Sequence, residues 1–241
     1  MPSHDDERAL KEALVQACHI LAMEGQSNTI LGHMAARLPG WDRFWMKPSR
    51  MGLEEIAEDD LVLVGLDGAL LAGHRDRHAE YPIHAEIMRA RPDVLATVHT
   101  HPIHSVAFAA RGRPLRSVGH EGSYFCPPGV PVFDRKTDLI LTAEEGRWVS
   151  DALGDARGVF LLNHGIAVPG PTVEHACVAA IMLEHAARTQ LLAESDGAEA
   201  RYTPDWEAPT KQLHAVPPER LPPIFAYYTR KLARWDHVPR D

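Results

Sequence analysis

Two histidines one residue apart, His99 and His101, have a spacing that could bind a metal ion. In an extended chain, side chains two positions apart point to the same side. The largely apolar run 94–98 comes before them and Pro102 follows, which predicts a strand that ends where a helix begins. Chemistry in α/β proteins tends to lie at the carboxyl ends of strands. We therefore interpret this pair as two ligands of one metal ion.

A third ligand is expected from another strand end. His164 follows the apolar segment 159–162, and Gly165 after it allows a sharp backbone turn. Catalytic zinc sites usually have three protein ligands and one open position. A single histidine is more often an ordinary core or surface residue, but three at strand ends favour a metal site. Glu80, near the start of a predicted helix, could be a fourth ligand or an acid/base group, although its position near a helix N-terminus is favourable on its own.

Strands and helices that could position these residues are indicated along most of the chain. Alternating or short apolar runs predict strands, and apolar residues three and four apart predict helices. Asp67-Gly68 between two short apolar runs predicts a hairpin, and Thr142 with Glu145 predicts a capping box. Helices are predicted over 5–24, 82–91, 103–110, 142–153 and 172–195, and strands over 30–38, 44–46, 61–64, 69–71, 159–162 and up to 170, with a loop over 111–131.

The 241 residues fit one large α/β domain, which we place at 1–200. The remaining segment, 201–241, is rich in proline and aromatic residues and shows no clear core face. We expect it to be a C-terminal extension that packs at a subunit interface.

Composition excludes several classes of protein. A formal net charge of −8 argues against a nucleic-acid partner, because phosphate binding requires a basic surface. The 3 cysteines are widely spaced, so neither a thiolate zinc site nor a disulfide framework is expected. The first residues are polar and acidic, unlike a secretory signal, and no apolar run approaches the ~20 residues of a membrane span. We expect a cytoplasmic protein that acts on a small molecule and has no membrane partner.

Taken together, the motifs resemble those of the class II aldolase/adducin family, over roughly residues 10–193. Their order and spacing carry the resemblance. The matching segments are Gly32-His33-Met34-Ala35-Ala36-Arg37, Lys47-Pro48-Ser49, Glu80, Arg91-Pro92-Asp93, His99-Thr100-His101 and Asn163-His164-Gly165.

This resemblance implies a three-layer α/β/α sandwich around a largely antiparallel sheet, assembled as a homotetramer with its sites at subunit interfaces. It implies that His99, His101 and His164 bind one divalent metal per subunit and that Glu80 is the acid/base. Zinc is the first candidate, with manganese, cobalt and iron open, because three imidazoles suit several metals. His84 and His104, one helical turn from Glu80 and His101, are expected to act only indirectly.

The chain departs from the sugar-phosphate members of that family. Where those commonly have Gly-Asn-x-Ser and paired serines, this chain has Gly32-His33-Met34-Ala35 and His78-Ala79. The histidine and arginine side chains present instead are larger hydrogen-bond donors, and they suit a carboxylate because the guanidinium group of arginine can donate two parallel hydrogen bonds to it. Arginines in loops are, however, often simply solvated. The resemblance further suggests that a tyrosine of the C-terminal extension reaches the site of a neighbouring subunit. The simpler alternative is that this tyrosine only packs at an interface or on the surface. The candidate substrate-binding residues are His33, Ser49, Arg75, Arg77 and Tyr228.

The predicted function is that of a metal-dependent carbon–carbon lyase, first of all a decarboxylase of a hydroxy-aromatic or pyridine carboxylate. Loss of carbon dioxide would leave a carbanion that the metal stabilises as an enolate. Glu80, held protonated by burial, would then protonate carbon. An aldolase acting on a hydroxy-keto acid or sugar phosphate shares this intermediate and stays open, as does a phosphopentose epimerase. A non-catalytic adducin-like scaffold is the alternative from another class.

Overall fold

One sheet of eight strands organises the part of the chain that the computed structural model describes, residues 3–195, 197 and 200–235. The strands are β1 (His33–Ala36), β2 (Arg43–Met46), β3 (Val62–Gly65), β4 (Leu70–Ala72), β5 (Ala96–Thr100), β6 (Val132–Phe133), β7 (Val159–Leu161) and β8 (Gly165–Gly170). The helices are α1 (His4–Met23), α2 (Tyr81–Ala90), α3 (Ile103–Ala110), α4 (Gly119–Phe125), α5 (Ala143–Leu153), α6 (Val173–Ala193), α7 (Ala208–Ala215) and α8 (Leu221–Trp235). Within the described residues, no helix is both long and apolar enough to cross a membrane.

The sheet has helices on both faces. Its strand order is β4-β3-β2-β1-β5-β8-β7-β6, and every pair is antiparallel except β6 with β7. Alternation along β1 sends Met34 and Ala36 to a core shared with α1 and α6, and Ala35 to a core shared with α2 and α5. The predicted three-layer α/β/α sandwich with a largely antiparallel sheet is confirmed.

The central strand, β5, is buried along all five of its residues and pairs with β1 on one side and β8 on the other. Val98 faces the α1/α6 core, whereas Thr97 and His99 face the opposite layer, where α2 lies. His33 of β1 lies directly opposite His99. This register gathers polar side chains on one face of an otherwise apolar strand.

Local sequence signals placed most element ends correctly. Ser3 and Thr142 form capping boxes at the starts of α1 and α5, and Thr172 caps α6. Pro82 occupies the first turn of α2. The hairpin at Asp67-Gly68 joins β3 to β4, with Gly68 at a φ of +86°. These signals work because they depend only on neighbouring residues.

Two stretches differ from the expectations. Residues 111–131, predicted as a loop, contain α4, whose Phe125 is fully buried. The C-terminal part contains α8, which packs against α6 and α1, so it does have a core face. The apolar residues of α8 do recur at helical spacing, but the prolines in its first turn hid this pattern in the sequence. The apolar residues of this face are Leu221, Ile224, Phe225, Tyr228 and Leu232. Packing of this region at a subunit interface stays a prediction.

Arg37 joins the end of β1 to the segment that leads into β5. Its guanidinium donates hydrogen bonds to the carbonyl oxygens of Met88 at 2.7 Å, Val94 at 3.1 Å, and both Arg91 and Trp41 at 3.2 Å. A lysine keeps the charge but cannot reach this fork of carbonyls.

We expect Arg37→Lys to lower the free energy of unfolding by about 2 kcal/mol, because buried carbonyls lose their donors. Urea unfolding followed by circular dichroism measures this change. Arg43→Lys, at a half-exposed arginine on the neighbouring strand, is the matched control and should change it by less than about 0.5 kcal/mol. Equal effects of the two variants would show that the carbonyl fork does not stabilise the fold.

Candidate metal centre

Three histidines and one glutamate that are distant in sequence meet at the end of β5. One ligand atom from each of Glu80, His99, His101 and His164 lies within 4.8 Å of all the others. The Nε2 atoms of His99 and His101 are 3.0 Å apart. The two carboxylate oxygens of Glu80 lie 3.4 Å from His164 Nε2 and 3.8 Å from His99 Nε2. The predicted ligand set is therefore one cluster in the folded chain.

Sheet pairing explains how the cluster forms. Because β5 pairs with β8, the β7–β8 turn that holds His164 lies beside the end of β5. Asn163 in that turn has a φ of +54°. A Cβ on Gly165 would lie 2.3 Å from the Thr100 carbonyl oxygen and 2.7 Å from His101 Cδ2, so only glycine allows this approach. Glu80 enters from the other direction, immediately before α2.

The donor atoms fit a divalent cation. His99 Nδ1 lies 2.9 Å from the carbonyl oxygen of Ile166, so Nδ1 must donate and Nε2 carries the lone pair that faces the cluster. Among the described residues, His101 Nδ1 and both ring nitrogens of His164 are buried without a hydrogen-bond partner. Imidazole nitrogens with an adjacent carboxylate are a typical donor set for zinc and for several other metals.

Burial keeps the imidazoles in the form that binds metal. It lowers the pKa of His99 well below its ordinary value, and together with the charge of His164 it lowers the pKa of His101 to about 4. At neutral pH both rings are neutral, and a neutral ring offers a lone pair.

Glu80 does not behave as the sequence interpretation held. Burial is the largest single influence and works to raise its pKa, but His164 and the amide of Ile140, which donates to Oε1 at 2.9 Å, outweigh it. The pKa of Glu80 therefore lies below its ordinary value, and the side chain is a carboxylate at neutral pH. The expectation that burial holds it protonated is wrong, because the nearby His164 ring and the Ile140 amide act against burial here.

A second group of histidines lies against this cluster. The ring centroids of His33 and His78 are 3.9 Å apart, and both residues lie near the Glu80 carboxylate. His33 Nδ1 is hydrogen-bonded to His84 Nε2, and His84 Nδ1 to Thr97 Oγ1. Sequence reasoning missed Thr97, although it precedes His99 by two positions and so shares its face of β5.

A cleft of about 570 Å³ opens over the cluster. Polar side chains of His78, Glu80, His101 and His164 form one part of its lining, and apolar side chains form another. This volume is in the range of small-molecule sites. The apolar part consists of Leu31, Ile103, Val106 and Leu139, of which Ile103 is 75% exposed.

All five candidate substrate-binding residues lie outside the lining of this cleft, and His33 is fully buried with its ring against that of His78, which does line it. Arg75 pairs with Asp60 at 2.7 Å, and Arg77 donates to a carbonyl oxygen in the β3–β4 turn and stacks on a tyrosine ring. Ser49 hydrogen-bonds a backbone carbonyl in the loop before Glu80. Tyr228 packs half-buried on α8, where burial raises its pKa. Contact of these residues with substrate stays a prediction.

Comparisons with known proteins agree with the fold. Residues 12–191 match the family described as Class II Aldolase and Adducin N-terminal domain. A 3,4-dihydroxyphthalate decarboxylase from Arthrobacter keyseri is 32% identical over 207 residues, covering 81% of this chain and 83% of that protein. The meiotically up-regulated gene 14 protein of Schizosaccharomyces pombe is 29% identical over 195 residues, covering 80% of this chain and 76% of that protein. The solved structure of an L-fuculose 1-phosphate aldolase from Glaciozyma antarctica PI12 has a TM-score of 0.82 at 27% identity, covering 98% of this chain and 94% of that one.

The chain belongs to the class II aldolase and adducin family. The family predicted from the motifs is confirmed.

We expect Gly165→Ala to weaken zinc binding about 10- to 100-fold, because the added Cβ displaces His101 from the cluster. It should also destabilise the fold by about 1–3 kcal/mol through overpacking. Calorimetric titration with zinc and thermal unfolding measure the two effects. In the control Gly158→Ala, the new Cβ would lie 3.2 Å from the flexible tip of Leu183, with Val168 and the Ala167 carbonyl oxygen at ordinary contact distances. Unchanged zinc affinity in Gly165→Ala would contradict the close approach.

The buried histidines predict acid sensitivity of the metal-free protein. Burial, followed by the charge of His78, lowers the pKa of His84 from 6.5 to about 3. Between these values the unfolded chain binds a proton that the folded chain does not, so stability present above pH 6.5 is lost as the pH falls. Each such histidine contributes a slope of about 1.4 kcal/mol per pH unit. Urea unfolding across this range tests it, with the exposed His214→Gln as the control, and a flat profile would contradict it.

Proposed function

We propose that this protein is a divalent-metal-dependent lyase that removes carbon dioxide from a hydroxylated aromatic carboxylate without a phosphate group. The observation that carries the proposal is one cleft lined by clustered imidazoles, an ionised glutamate and apolar side chains. A relative that is 32% identical is named 3,4-dihydroxyphthalate decarboxylase, which supports both the reaction and the substrate class.

His99, His101 and His164 would hold the cation, with Glu80 beside it. When bound, a divalent cation acts as a Lewis acid that draws electron density from the substrate's oxygens. The three imidazoles are fixed before it binds, since the sheet, the β7–β8 turn and the Ile166 carbonyl hold them. Zinc is our first choice, and manganese, cobalt and iron suit the same donors.

Glu80 would move the proton. As a carboxylate it accepts the proton of the substrate's hydroxyl group at one of its oxygens. The bond to the departing carboxylate then breaks, carbon dioxide leaves, and the electron pair stays with the ring. Glu80 returns the proton to that ring carbon, so the glutamate ends the cycle ionised as it began. The lowered pKa of Glu80 is consistent with this role as base first and acid second.

The shape and polarity of the cleft favour an aromatic substrate. Leu31, Ile103 and Leu139 offer an apolar surface opposite the polar cluster, which suits a flat ring with oxygen atoms along one edge. His33 and His78 stand where the sugar-phosphate members of the family have small amide and hydroxyl residues. Their nitrogen atoms suit a carboxylate oxygen better than a large phosphate group.

An aldolase is the second candidate, because the L-fuculose 1-phosphate aldolase structure matches 98% of this chain. The same carboxylate could accept a hydroxyl proton while an aldehyde leaves instead of carbon dioxide. A non-catalytic scaffold is the third candidate, and it predicts no bound metal.

We further propose a homotetramer in which a neighbouring subunit covers the exposed apolar rim at Ile103. Tyr228 and the segment after residue 200 are the candidates for this contact, and Ser49, Arg75 and Arg77 keep their proposed substrate role in the same assembly.

The reaction is tested by incubating the zinc-loaded protein with 3,4-dihydroxyphthalate and following carbon dioxide release. In one set of parallel samples, manganese, cobalt or iron replaces zinc. In another, L-fuculose 1-phosphate replaces the aromatic acid and aldehyde is detected. We expect carbon dioxide only from the aromatic acid. Turnover of the sugar phosphate alone would overturn the decarboxylase assignment, and a protein that binds no divalent metal would favour the scaffold.

The role of Glu80 is tested with Glu80→Gln, which keeps the size of the side chain but cannot carry the proton. We expect turnover to fall about 100-fold or more while one metal per chain stays bound. Glu86→Gln removes another buried carboxylate on α2 and is the matched control. Full activity in Glu80→Gln would remove Glu80 from the mechanism.

A further inference from the structure

Three buried side chains form a hydrogen-bonded chain that ends beside the metal cluster. Thr97 Oγ1 lies 2.5 Å from His84 Nδ1, and His84 Nε2 lies 2.5 Å from His33 Nδ1. All three residues are fully buried. The far nitrogen of the chain, His33 Nε2, has no partner among the described residues.

The hydroxyl of Thr97 gives this chain a direction. Each neutral imidazole carries one N–H and one lone pair, and buried polar hydrogens are almost always paired. Among the described residues, the acceptor within reach of the Thr97 hydroxyl proton is His84 Nδ1. If Thr97 donates, His84 Nδ1 is a lone pair and His84 Nε2 carries a proton that it donates to His33 Nδ1. The proton of neutral His33 must then be on Nε2.

The reverse direction leaves a buried hydrogen without a partner. If His84 Nδ1 donated to Thr97, the hydroxyl proton of Thr97 would lack an acceptor in the described structure. Leaving such a group unpaired costs more than one hydrogen bond contributes. A doubly protonated His33 or His84 has the same defect, because His84 Nδ1 would then have to donate to Thr97 and the hydroxyl proton would again be unpaired.

The proton on His33 Nε2 has no acceptor among the residues that the structure describes. One oxygen of Glu80 already accepts from the Ile140 amide, and both oxygens face the ligand histidines. An oxygen atom brought by a bound molecule would complete the set. His78 lines the cleft and its ring centroid lies 3.9 Å from that of His33, so the oxygen would reach His33 beside His78.

We propose that Thr97 and His84 are positioning residues that hold His33 as an Nε2–H donor for a carboxylate oxygen of the substrate. This proposal rests on the proposed function and adds to it the group that recognises a second carboxylate, the one that a dicarboxylate such as 3,4-dihydroxyphthalate keeps in the product. The proposal also distinguishes substrate recognition by His33 from a second metal site that could use the same nitrogen atom. His33, His78 and Glu80 are close enough to hold a second cation, but a ring nitrogen that carries a proton is no ligand.

The tautomer is measured by nitrogen-15 NMR of the full chain with labelled histidines, with and without zinc, which is diamagnetic. Long-range proton–nitrogen correlations distinguish a protonated ring nitrogen from one with a lone pair, and the signals that vanish in His33→Gln identify His33. We expect the proton on Nε2. A proton on Nδ1 would overturn the proposal, whatever the enzyme turns over.

The donor role is measured with phthalate, an aromatic dicarboxylate that lacks the reacting hydroxyl groups. Adding phthalate to the zinc-loaded protein should shift the His33 Nε2–H signal. The donor role would be overturned if phthalate shifted other signals of the site but not the His33 Nε2–H signal. It would also be overturned if phthalate shifted no signal. If phthalate shifts the His33 signal but the protein releases no carbon dioxide, only the proposed function is contradicted.

The positioning role is measured with Thr97→Val, which removes the hydroxyl and keeps the shape, and with Thr97→Ser, which restores it. In Thr97→Val we expect a mixture of His33 tautomers and a rise of about tenfold in both KM and the Kd for phthalate, with a smaller change in kcat. Thr97→Ser should return these values towards those of the natural chain. A single unchanged tautomer in Thr97→Val, or a second zinc bound by the natural chain, would overturn the proposal. If Thr97→Val fails to fold, the tautomer and phthalate measurements on the natural chain still decide it.

Discussion

Desolvation of imidazole groups around one carboxylate is the constraint on which the rest of this structure depends. Five histidines lie near Glu80 in two overlapping groups, and burial lowers the pKa of four of them, His33, His78, His99 and His101, and so disfavours their charged form. Neutral rings turn lone pairs and N–H groups, rather than positive charges, towards the centre. A single buried carboxylate among them is balanced best by a cation, so the cluster is organised for metal before any metal is present.

The sheet creates this environment by placing polar residues on one face of a central, fully buried strand. β5 carries Thr97 and His99 on that face, and its partners bring His33 from β1 and the His164 turn from β8. The glycine at 165 removes the one side chain that would keep the turn from the strand end. A rigid antiparallel register therefore sets the distances between ligands, and α2 adds the carboxylate from above the same face.

The cleft combines two surfaces that serve different steps of a lyase reaction. The imidazole and carboxylate surface handles charge and protons, while the apolar surface around Leu31 and Leu139 suits the unreactive side of a ring. Both decarboxylation and aldol cleavage break a carbon–carbon bond and leave its electron pair with the substrate, so both need this charge-handling surface. What separates them is the group recognised beside the metal, which is where this chain has His33 and His78 instead of small polar residues.

The sequence by itself determined most of the elements, because caps, turns and periodicity depend on neighbouring residues. The order and spacing of its motifs indicated the family, and that resemblance implied the sandwich and the candidate ligands His99, His101, His164 and Glu80. Only the tertiary structure decided what the protonation states are and which polar residues meet. Glu80 is ionised since distant groups donate to it, the Thr97 hydroxyl gives His33 its tautomer, and Arg75 turns to Asp60 rather than to the cleft. Desolvation and long-range hydrogen bonds exist only once strands far apart in sequence are adjacent, so no local pattern encodes them.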